Sequence, residues 1–574
     1  TLILIIFTNI SKVEAADTVI NDGGTTTSQQ GLSSNEDTLT ISNESTLTRA
    51  NTAVNVTANE VSVTVNSGST IITSSADKAI YANDVEDLTV TNSGTLDAAR
   101  GKTVDIKGTT NATITNNTGG VISALKNTFN ISGSGSNSTT GYNISNSGTI
   151  YASNGTNSAI FTSNTNSSGD ITNNSGGEIY SLGTQATIKL GASSTITNSG
   201  SIKNKLDTDN NAIKALGNSN TITLKNDGIV VGKIIAASGT SGNTLKFQHG
   251  FGQGYFYETS GDFTLEDLDD NQVVKGSAGS VGQGGSETLD ELLSYKSMNL
   301  RKFFSKYNKL NDKDVWGETY VSNLKRDAHT SNLALEYDLL NFGVNLINQM
   351  DNANFVIAFE GGTQDFVKDH KIDYKNISTG IYLPQKNNSY FDLDVFVLAG
   401  ITLKEGERTI LTNTTTSGKL KVDSDYETYE IHTGIKKNNL SLIPDVGLAV
   451  SYSLTPNYDE SKYFSWNDRH IGNLSIFFSD DYNFIKNNDN KLFLGWTLDL
   501  RNMIGDKKQV YLINGTSATY QQDNDLTKEI SLLANIGYKK RFSKNSEISF
   551  TLDAKDTNQY VKSIGANISL ISRF

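Results

Sequence analysis

The chain has 574 residues, no cysteine and a formal net charge of −13 at pH 7. This length predicts two or more large units. The negative charge argues against a nucleic-acid-binding protein, because no basic stripe is available for phosphates. The lack of cysteine excludes disulfides, zinc fingers, iron–sulfur clusters and thiol nucleophiles.

Residues 1–16 have the pattern of the end of a secretory signal peptide. An apolar core, LILIIF (2–7), precedes the small-residue pattern VEAAD (13–17), which is typical of a signal-peptidase site. We expect cleavage after Ala15 or Ala16. We also expect that the sequence begins inside this peptide and lacks its start. The alternative is a buried strand. No later stretch has 18 consecutive apolar residues, so no transmembrane helix is expected.

Residues 17–243 repeat one phrase, in which an asparagine precedes a glycine every 24 to 29 residues. Each unit holds three short strand-like pieces, as in KAIYA (78–82), LTVTN (88–92) and GTLDA (94–98). Three strands per repeat predict a right-handed, three-sided parallel β-helix with about seven coils. The asparagines that anchor the seven repeats are Asn66, Asn92, Asn117, Asn146, Asn174, Asn198 and Asn226.

These seven asparagines are expected at the corners between faces, because asparagine and glycine tolerate left-handed backbone angles. Asparagines on equivalent corners can stack as an amide ladder. The threonines and serines beside them point outward and solvate the faces. The alternative is a disordered low-complexity tract, which the apolar alternation within every unit disfavours.

The array ends in an aromatic segment, residues 244–275, which contains Phe247, His249 and Tyr257. We interpret it as a cap that shields the last coil from water; a platform that binds a ligand is the alternative. A Gly/Ser-rich linker, 276–286, follows. Residues 287–310 have apolar residues at helical spacing and predict a helix. This helix either enters the barrel described next or lies on the membrane surface.

Residues 311–574 alternate apolar and polar side chains with a period of two, as in SYFDLDVFVLAGITLK (389–404). Segments of this length and alternation predict a transmembrane antiparallel β-barrel with a polar lumen; a soluble sandwich is the alternative. Twelve strands are expected, with starts near Trp316, Ser331, Phe355, Tyr374, Tyr390, Tyr426, Leu440, Ile471, Leu492, Ile530, Glu547 and Tyr560. Residues 510–520 are either a further hairpin or a loop. A helix in the lumen would bring Arg301, Lys302 and Lys306 to carboxylates such as Asp392, Asp394 or Asp499.

Several motifs, taken in this order, resemble classical monomeric autotransporters of Gram-negative bacteria (type V secretion). They are NTLKFQHGFGQGYFY (243–257), DVWGETYV (314–321), FGVNLI (342–347), SLIPDVGLAVSY (441–452) and the C-terminal ISLISRF with Leu570 and Phe574. The resemblance implies an outer-membrane translocator, and a β-helical passenger that crosses unfolded and folds outside the cell. It also implies a junction that starts this folding, and an assembly signal at Leu570 and Phe574. Its implied partners are the lipid bilayer, the barrel assembly machinery and periplasmic chaperones.

The passenger sequence favours adhesion or self-association over catalysis. His249 is the one histidine before the barrel, and a Ser-His-Asp triad needs a histidine base. No G-x-S-x-G elbow and no Asp-rich calcium repeat is present, and no cofactor or metal site is predicted. Two alternatives stay open. One is a hydrolase passenger that uses two carboxylates, and the other is an outer-membrane pore with a periplasmic solenoid.

Overall fold

A computed structural model describes residues 15–135, 137–162, 166–269, 271, 273–274, 278–281, 288–307, 314–327, 336–350, 353–384, 393–438, 444–461, 463–487, 489–506, 508–513, 516–521 and 527–573. The chain divides into two compact units. Unit 1 comprises Thr1–Gly250, Phe256–Ala278 and Leu411–Leu420. Unit 2 comprises Phe251–Tyr255, Gly279–Ile410 and Lys421–Phe574.

Unit 1 is a three-sided parallel β-solenoid of about ten turns, in which successive strands visit sheets A, B and C in turn. Among the described residues, sheet A has eleven strands: β1 Asp17–Ile20, β4 Thr38–Ile41, β7 Ser62–Val65, β10 Thr89–Asn92, β13 Thr113–Asn116, β16 Thr140–Asn146, β19 Ser168–Asn173, β22 Thr195–Asn198, β25 Thr221–Lys225, β28 Asn243–Gln248 and β31 Phe263–Asp267.

Sheets B and C complete the solenoid. Sheet B contains β2 Thr25–Thr26, β5 Thr46–Arg49, β8 Thr70–Thr73, β11 Thr95–Ala98, β14 Val121–Ala124, β17 Thr149–Ala152, β20 Glu178–Ser181, β23 Ser201–Asn204 and β26 Ile229–Val231. Sheet C contains β3 Gln30–Leu32, β6 Val54–Val56, β9 Lys78–Asn83, β12 Lys102–Lys107, β15 Phe129–Ser132, β18 Ile160–Thr162, β21 Ile188–Leu190, β24 Asn211–Ala215, β27 Lys233–Ala236 and β30 Thr259–Ser260.

The solenoid core consists of columns of stacked aliphatic side chains. Parallel registers place Val90 on Ile114, Ile114 on Ile144 and Ile171 on Ile196, and each of these side chains is at most 1% exposed. Burial of each such side chain contributes about 1.5–3 kcal/mol. The expected number of coils, seven, was too small because the turns before Asn66 and after Asn226 lack the repeated phrase but have the same strand pattern.

Unit 2 contains a closed antiparallel barrel, in which the last strand pairs with the first. Among the described residues its twelve strands are β33 Asp314–Arg326, β34 Tyr337–Met350, β35 Ala353–Phe366, β36 His370–Leu383, β37 Asp394–Thr412, β38 Lys419–Lys437, β39 Asp445–Thr455, β42 Arg469–Lys486, β43 Asn490–Gly505, β46 Lys528–Ser543, β47 Ser546–Thr557 and β48 Val561–Arg573. The twelve predicted strands are confirmed, with the largest shifts at the second strand (Tyr337 instead of Ser331) and the sixth (Lys419 instead of Tyr426).

Shorter elements accompany the barrel. They are β29 Tyr255–Phe256, β32 Gly279–Ser280, helix α1 Thr288–Tyr307, β40 Tyr458–Glu460, β41 Phe464–Trp466, β44 Lys508–Ile513 and β45 Thr516–Gln521. Strands β44 and β45 pair as an antiparallel hairpin, so the segment 510–520 forms a hairpin instead of a loop.

The barrel strands present apolar side chains outward and polar side chains inward. On β48, Ile564 and Leu570 are 72% and 55% exposed, whereas Asn567 and Ser569 are each 3% exposed. This alternation is typical of a barrel whose outer surface contacts lipid. Within the described part of the chain, no helix combines the length and the apolar character needed to cross a membrane.

Candidate functional site

Helix α1 lies inside the barrel. Its apolar side chains contact inward-facing side chains on strands from around the barrel: Leu300, Phe303 and Phe304 share one cluster with Trp316, Tyr382, Phe396 and Phe477. Phe303 stacks on Trp316 with ring centroids 4.4 Å apart, and Phe304 stacks on Tyr382 at 4.7 Å. The predicted helix therefore fills the lumen, and its apolar side chains pack against the barrel on several sides of the helix.

A buried ion pair anchors the middle of α1. Lys296 Nζ lies 2.8 Å from Glu430 Oε1 on β38, and both side chains are less than 5% exposed. Lys296 also donates to Thr402 Oγ1 at 2.7 Å, and Thr402 donates to Glu430 Oε1 at 2.6 Å. Breaking such a pair by removing one partner costs about 3–5 kcal/mol, because the other charge stays buried.

Further charged contacts run along the helix. Arg301 pairs with Asp499 on β43, and Lys302 Nζ lies 2.9 Å from Asp553 Oδ2 on β47. Near the start of the helix, Glu291 pairs with Arg326 and accepts a hydrogen bond from Tyr337 at 2.6 Å. Together these contacts tie α1 to strands on different sides of the lumen.

Sequence reasoning identified some of these residues and missed others. Arg301 and Lys302 lie in the lumen beside carboxylates, whereas the side chain of Lys306 lies outside the described residues. Asp392 also lies outside them, and Asp394 accepts a hydrogen bond from Asn438 at 2.5 Å. Lys296 and Glu291 were missed. In the sequence, their partners can be recognised as charged residues at inward-facing strand positions, such as Glu430.

Further buried ion pairs join residues of the strands to one another. Glu529 lies 3.3 Å from Arg501 and 3.1 Å from Lys555, and the three side chains are 5% exposed or less. Arg408 on β37 pairs with Glu460 on β40 at 2.7 Å. The inward-facing positions of the strands place these charged side chains in the lumen, where they neutralise one another in pairs. Charged residues of the lumen therefore join strands to each other as well as to the helix.

The predicted corner asparagines occupy neighbouring positions of the repeat. Asn92, Asn146 and Asn198 lie in a buried column at the end of sheet A strands. Asn66, Asn117 and Asn174 lie one residue further along, and Asn226 lies two residues beyond Leu224, which aligns with Asn198. The column is completed by Asn116 and Asn173, which sequence reasoning missed, because Asn-Asn pairs leave the anchor ambiguous by one residue.

The buried column forms an amide ladder. Each Nδ2 donates to the Oδ1 of the next asparagine, at 2.8 Å from Asn92 to Asn116, 2.8 Å from Asn116 to Asn146, 2.9 Å from Asn146 to Asn173 and 2.8 Å from Asn173 to Asn198. Each amide also donates to backbone carbonyls, as Asn146 Nδ2 does to Gly148 O of its own coil at 3.1 Å and to Glu178 O of the next coil at 3.3 Å. The ladder therefore fixes the corner between sheets A and B.

Residues of the aromatic segment that was predicted as a cap form a packed cluster within unit 1. Phe247 stacks on Tyr257 at 5.7 Å, and the Tyr257 hydroxyl donates to His249 Nε2 at 3.1 Å. His249 Nδ1 donates to the Asn226 carbonyl at 2.6 Å. Burial raises the pKa of Tyr257 far above its ordinary value, and the protonated hydroxyl is the form that donates to His249. Both ring nitrogens of His249 are thus engaged in hydrogen bonds within unit 1.

Unit 1 also includes residues 411–420, which connect β37 to β38. Asn413 is buried, and its Nδ2 donates to Gly232 O at 3.0 Å and to Glu258 O at 2.9 Å. Its Oδ1 accepts from Glu258 N at 2.8 Å, and Gly232 N donates to its carbonyl at 2.9 Å. Asn413 therefore joins the last turns of the solenoid, a role that no repeat in the sequence signals.

The remaining predicted site residues concern the C-terminus and metal binding. Leu570 lies on β48 opposite Gly317 and Ile548 and points outward, whereas Phe574 lies outside the described residues. Among the described side chains, no group of three or more histidines and carboxylates is arranged to hold a metal ion.

No protein-family model and no curated protein matches the chain. Similar solved structures include the translocator domain of the autotransporter NalP from Neisseria meningitidis, with 12% identity over 51% of this chain and 100% of that chain, at a TM-score of 0.36. The transport unit of the autotransporter AIDA-I from Escherichia coli has 9% identity over 49% and 97%, at 0.30. The toluene transporter TodX from Pseudomonas putida has 8% identity over 47% and 91%, at 0.29.

Proposed function

We propose that this chain is an autotransporter, in which the barrel anchors the protein in the outer membrane and the β-solenoid is its own displayed passenger. One observation carries the proposal. A single chain joins a polar-faced solenoid to a closed barrel with an apolar exterior, and the segment between them is a helix inside that barrel. This is the arrangement expected after a chain has passed through its own barrel.

The membrane location follows from the surface of the barrel. Outward side chains such as Phe342, Ile564 and Leu570 are more than half exposed, and only lipid satisfies an apolar surface of this extent without aggregation. A signal peptide at residues 1–16 would deliver the chain to the periplasm. There, chaperones and the barrel assembly machinery are its expected partners, and Leu570 and Phe574 form the expected assembly signal.

The passenger suits export in an unfolded state. The chain contains no cysteine, so no disulfide can form in the periplasm and obstruct passage. Each coil pairs with its neighbours, so folding outside the cell can propagate coil by coil from the cap. The folding free energy released outside biases movement outward without ATP.

Adhesion or self-association is the passenger role that its surface favours. The outward positions of the solenoid strands carry mainly threonine, serine and asparagine, with few large apolar groups. Such a surface forms many weak hydrogen bonds and does not bury a small substrate. Among the described residues of unit 1, no cluster of side chains is arranged for catalysis.

Antibody labelling of a tagged chain tests display directly. The chain is fused to a complete signal peptide and expressed in a Gram-negative host, with an epitope inserted at Gly155, in an exposed turn of the solenoid. A matched version carries the epitope at Asn545, in the turn between β46 and β47. We expect the Gly155 epitope to be labelled on intact cells and the Asn545 epitope only after permeabilisation. The reverse pattern would favour an outer-membrane pore with a periplasmic solenoid.

A further inference from the structure

The buried ion pair between Lys296 and Glu430 has a third member, the side-chain amide of Asn376 on β36. Asn376 Nδ2 donates to Glu430 Oε2 at 3.4 Å and to Thr402 Oγ1 at 2.9 Å. The same Thr402 oxygen accepts a hydrogen bond from Lys296 Nζ at 2.7 Å. The lysine amine and the asparagine amide therefore bond to one shared hydroxyl and to the two oxygens of one carboxylate.

Rigid elements hold these groups together. Asn376, Thr402 and Glu430 lie on β36, β37 and β38, which are neighbouring strands of the barrel. Asn376 stands directly opposite Thr402 in the strand register, and helix α1 brings Lys296 to the same place. Groups that are held in a suitable geometry react far faster than the same groups free in solution.

The carbonyl group of the Asn376 side chain is polarised. Ser378 Oγ, two residues further along β36, donates to Asn376 Oδ1 at 3.0 Å. A donor at this position stabilises the negative charge that develops on a carbonyl oxygen when a nucleophile attacks the carbon. The amide thus has a donor at its oxygen, a carboxylate at its nitrogen and an amine nearby, which are the groups that acyl transfer requires.

The cluster is shielded from bulk water. Lys296, Asn376, Thr402 and Glu430 are each at most 8% exposed. Because buried charges are costly, transfer of a proton from Lys296 to Glu430, which leaves both groups neutral, is easier here than at a surface. A lysine amine that has lost its proton is a nucleophile. A cavity of about 10 Å³ beside Lys296 and Asn376 has room for one molecule the size of water or ammonia.

We propose that Lys296 and Asn376 form an isopeptide bond that links helix α1 to strand β36. Lys296 passes one proton to Glu430, and its neutral Nζ attacks Asn376 Cγ while Ser378 stabilises the oxyanion. The attack needs an approach of Nζ to about 3–3.5 Å from Cγ, which rotations of the flexible lysine side chain allow. A second proton moves from Nζ to Nδ2 through Glu430, and Nδ2 leaves as ammonia. The Cγ–Nζ bond replaces the Cγ–Nδ2 bond, so nothing is oxidised or reduced.

This bond makes the position of the helix in the lumen permanent. It forms only after α1 lies inside the closed barrel, since that is where Lys296 meets Asn376, and it then resists any force that draws the helix out along the lumen. The inference goes beyond the proposed function, because it concerns the helix and the barrel of unit 2. It holds on whichever side of the membrane the solenoid lies.

Peptide mapping of the full chain tests for the bond. The chain is extracted from membranes, denatured, digested with trypsin and analysed by mass spectrometry. We expect the peptide that contains Lys296 to stay linked to the peptide that begins at Asn376, with a combined mass lower by one ammonia and with no cleavage after Lys296. Separate peptides, with cleavage after Lys296, would overturn the inference, because an ion pair does not survive denaturation.

Four variants assign the roles. Lys296→Arg and Asn376→Ala each remove one reacting group and should abolish the linked peptide. Glu430→Gln keeps both reacting groups and should slow linkage about a hundredfold or more, since it removes the general acid–base; samples taken at intervals after induction of expression measure the rate. Lys302→Arg on the same helix is the matched control and should link like the native chain. A linked peptide in Lys296→Arg, or an undiminished rate in Glu430→Gln, would overturn the assignment.

Discussion

At the residue scale, the asparagine ladder shows what a sequence repeat can and cannot specify. The recurrence of Asn-Ser-Gly marks a corner, because asparagine and glycine accept the backbone angles found there. It does not say which asparagine of an Asn-Asn pair turns inward. Asn116 and Asn173 are buried whereas Asn117 and Asn174 are not, and the strand register that decides between them is a property of the stacked coils.

Removal of one amide from the ladder should destabilise the solenoid. In Asn146→Ala, the buried Asn173 Oδ1 loses its amide donor, and Asn116 Nδ2 loses its amide acceptor and keeps its bonds to backbone carbonyls. An unsatisfied buried polar group costs about 1–3 kcal/mol. We expect the free energy of unfolding to fall by about 2–4 kcal/mol, measured by pulse proteolysis of the solenoid in urea. Asn154→Ala, in an exposed turn, should change it by less than about 0.5 kcal/mol; equal effects at both sites would contradict the ladder.

Asp37 should make the first turns of the solenoid sensitive to acid. Burial opposes ionisation, but backbone N–H groups of Ala16, Ser34 and Ser33 donate to its carboxylate at 2.8, 2.8 and 2.9 Å, and the pKa is lowered from its ordinary value. The Ser33 and Ser34 bonds are the ones that persist after cleavage at the expected signal-peptide site. Because the Asp37 carboxyl has a lower pKa in the folded state, its ionisation stabilises the fold at pH values above the unfolded-state pKa of about 3.9. This stabilisation is lost as the pH falls through the folded-state pKa.

The Asp37→Asn version should therefore be less stable than the native chain at pH 7. This difference should shrink as the pH falls below about 4. Urea midpoints measured by proteolysis of the N-terminal turns at both pH values check the expectation. Asp22→Asn is the matched control, because the Asp22 carboxylate is exposed and bonds locally to Gly24. A stability difference independent of pH would show that the Asp37 carboxylate charge is not what matters.

At the element scale, periodicity predicted the types of the elements better than their number or ends. A period of two identified the twelve barrel strands, which are 11–19 residues long, because interior and exterior side chains must alternate along each of them. Strand β34 begins at Tyr337 and β38 at Lys419, away from their predicted starts. The reason is that hairpin length depends on strand pairing, which local composition does not encode. Helix α1 was predicted from apolar spacing, but Lys296 was missed because its partner Glu430 is distant in sequence.

Helix α1 should act as a plug held by its ion pairs. In Lys296→Ala combined with Arg301→Ala, the buried Glu430 and Asp499 carboxylates lose their cationic partners on the helix. The helix is then less firmly held, because unpaired buried charges favour its exit and entry of water. We expect larger and more frequent single-channel openings in planar bilayers than for the native protein.

The control for this prediction is Lys421→Ala, which removes an exposed pair with Glu407. Exposed pairs contribute little, about 0–1 kcal/mol, so its conductance should match that of the native chain. Native-like conductance in the double version as well would mean that packing of Phe303 and Phe304 holds the helix without the ion pairs.

At the scale of the whole molecule, the change of composition near residue 280 separates two different ways of burying a core. The first half stacks short strands into a polar-faced solenoid, and the second closes long strands into a barrel with an apolar exterior. Both architectures were predictable, because each imposes its own period on the sequence. The contribution of residues 411–420 to unit 1 was not, since contacts between distant segments leave no local pattern.

Protease shaving of intact cells tests the central claim, which is that the barrel displays the solenoid outside the outer membrane. Cells expressing the chain with the Gly155 epitope are treated with external protease and probed for the epitope and for the C-terminal region. The account predicts loss of the epitope and survival of a membrane-embedded fragment that corresponds roughly to residues 287–574. An epitope that stays protected in folded, membrane-inserted protein would contradict it and place the solenoid on the periplasmic side.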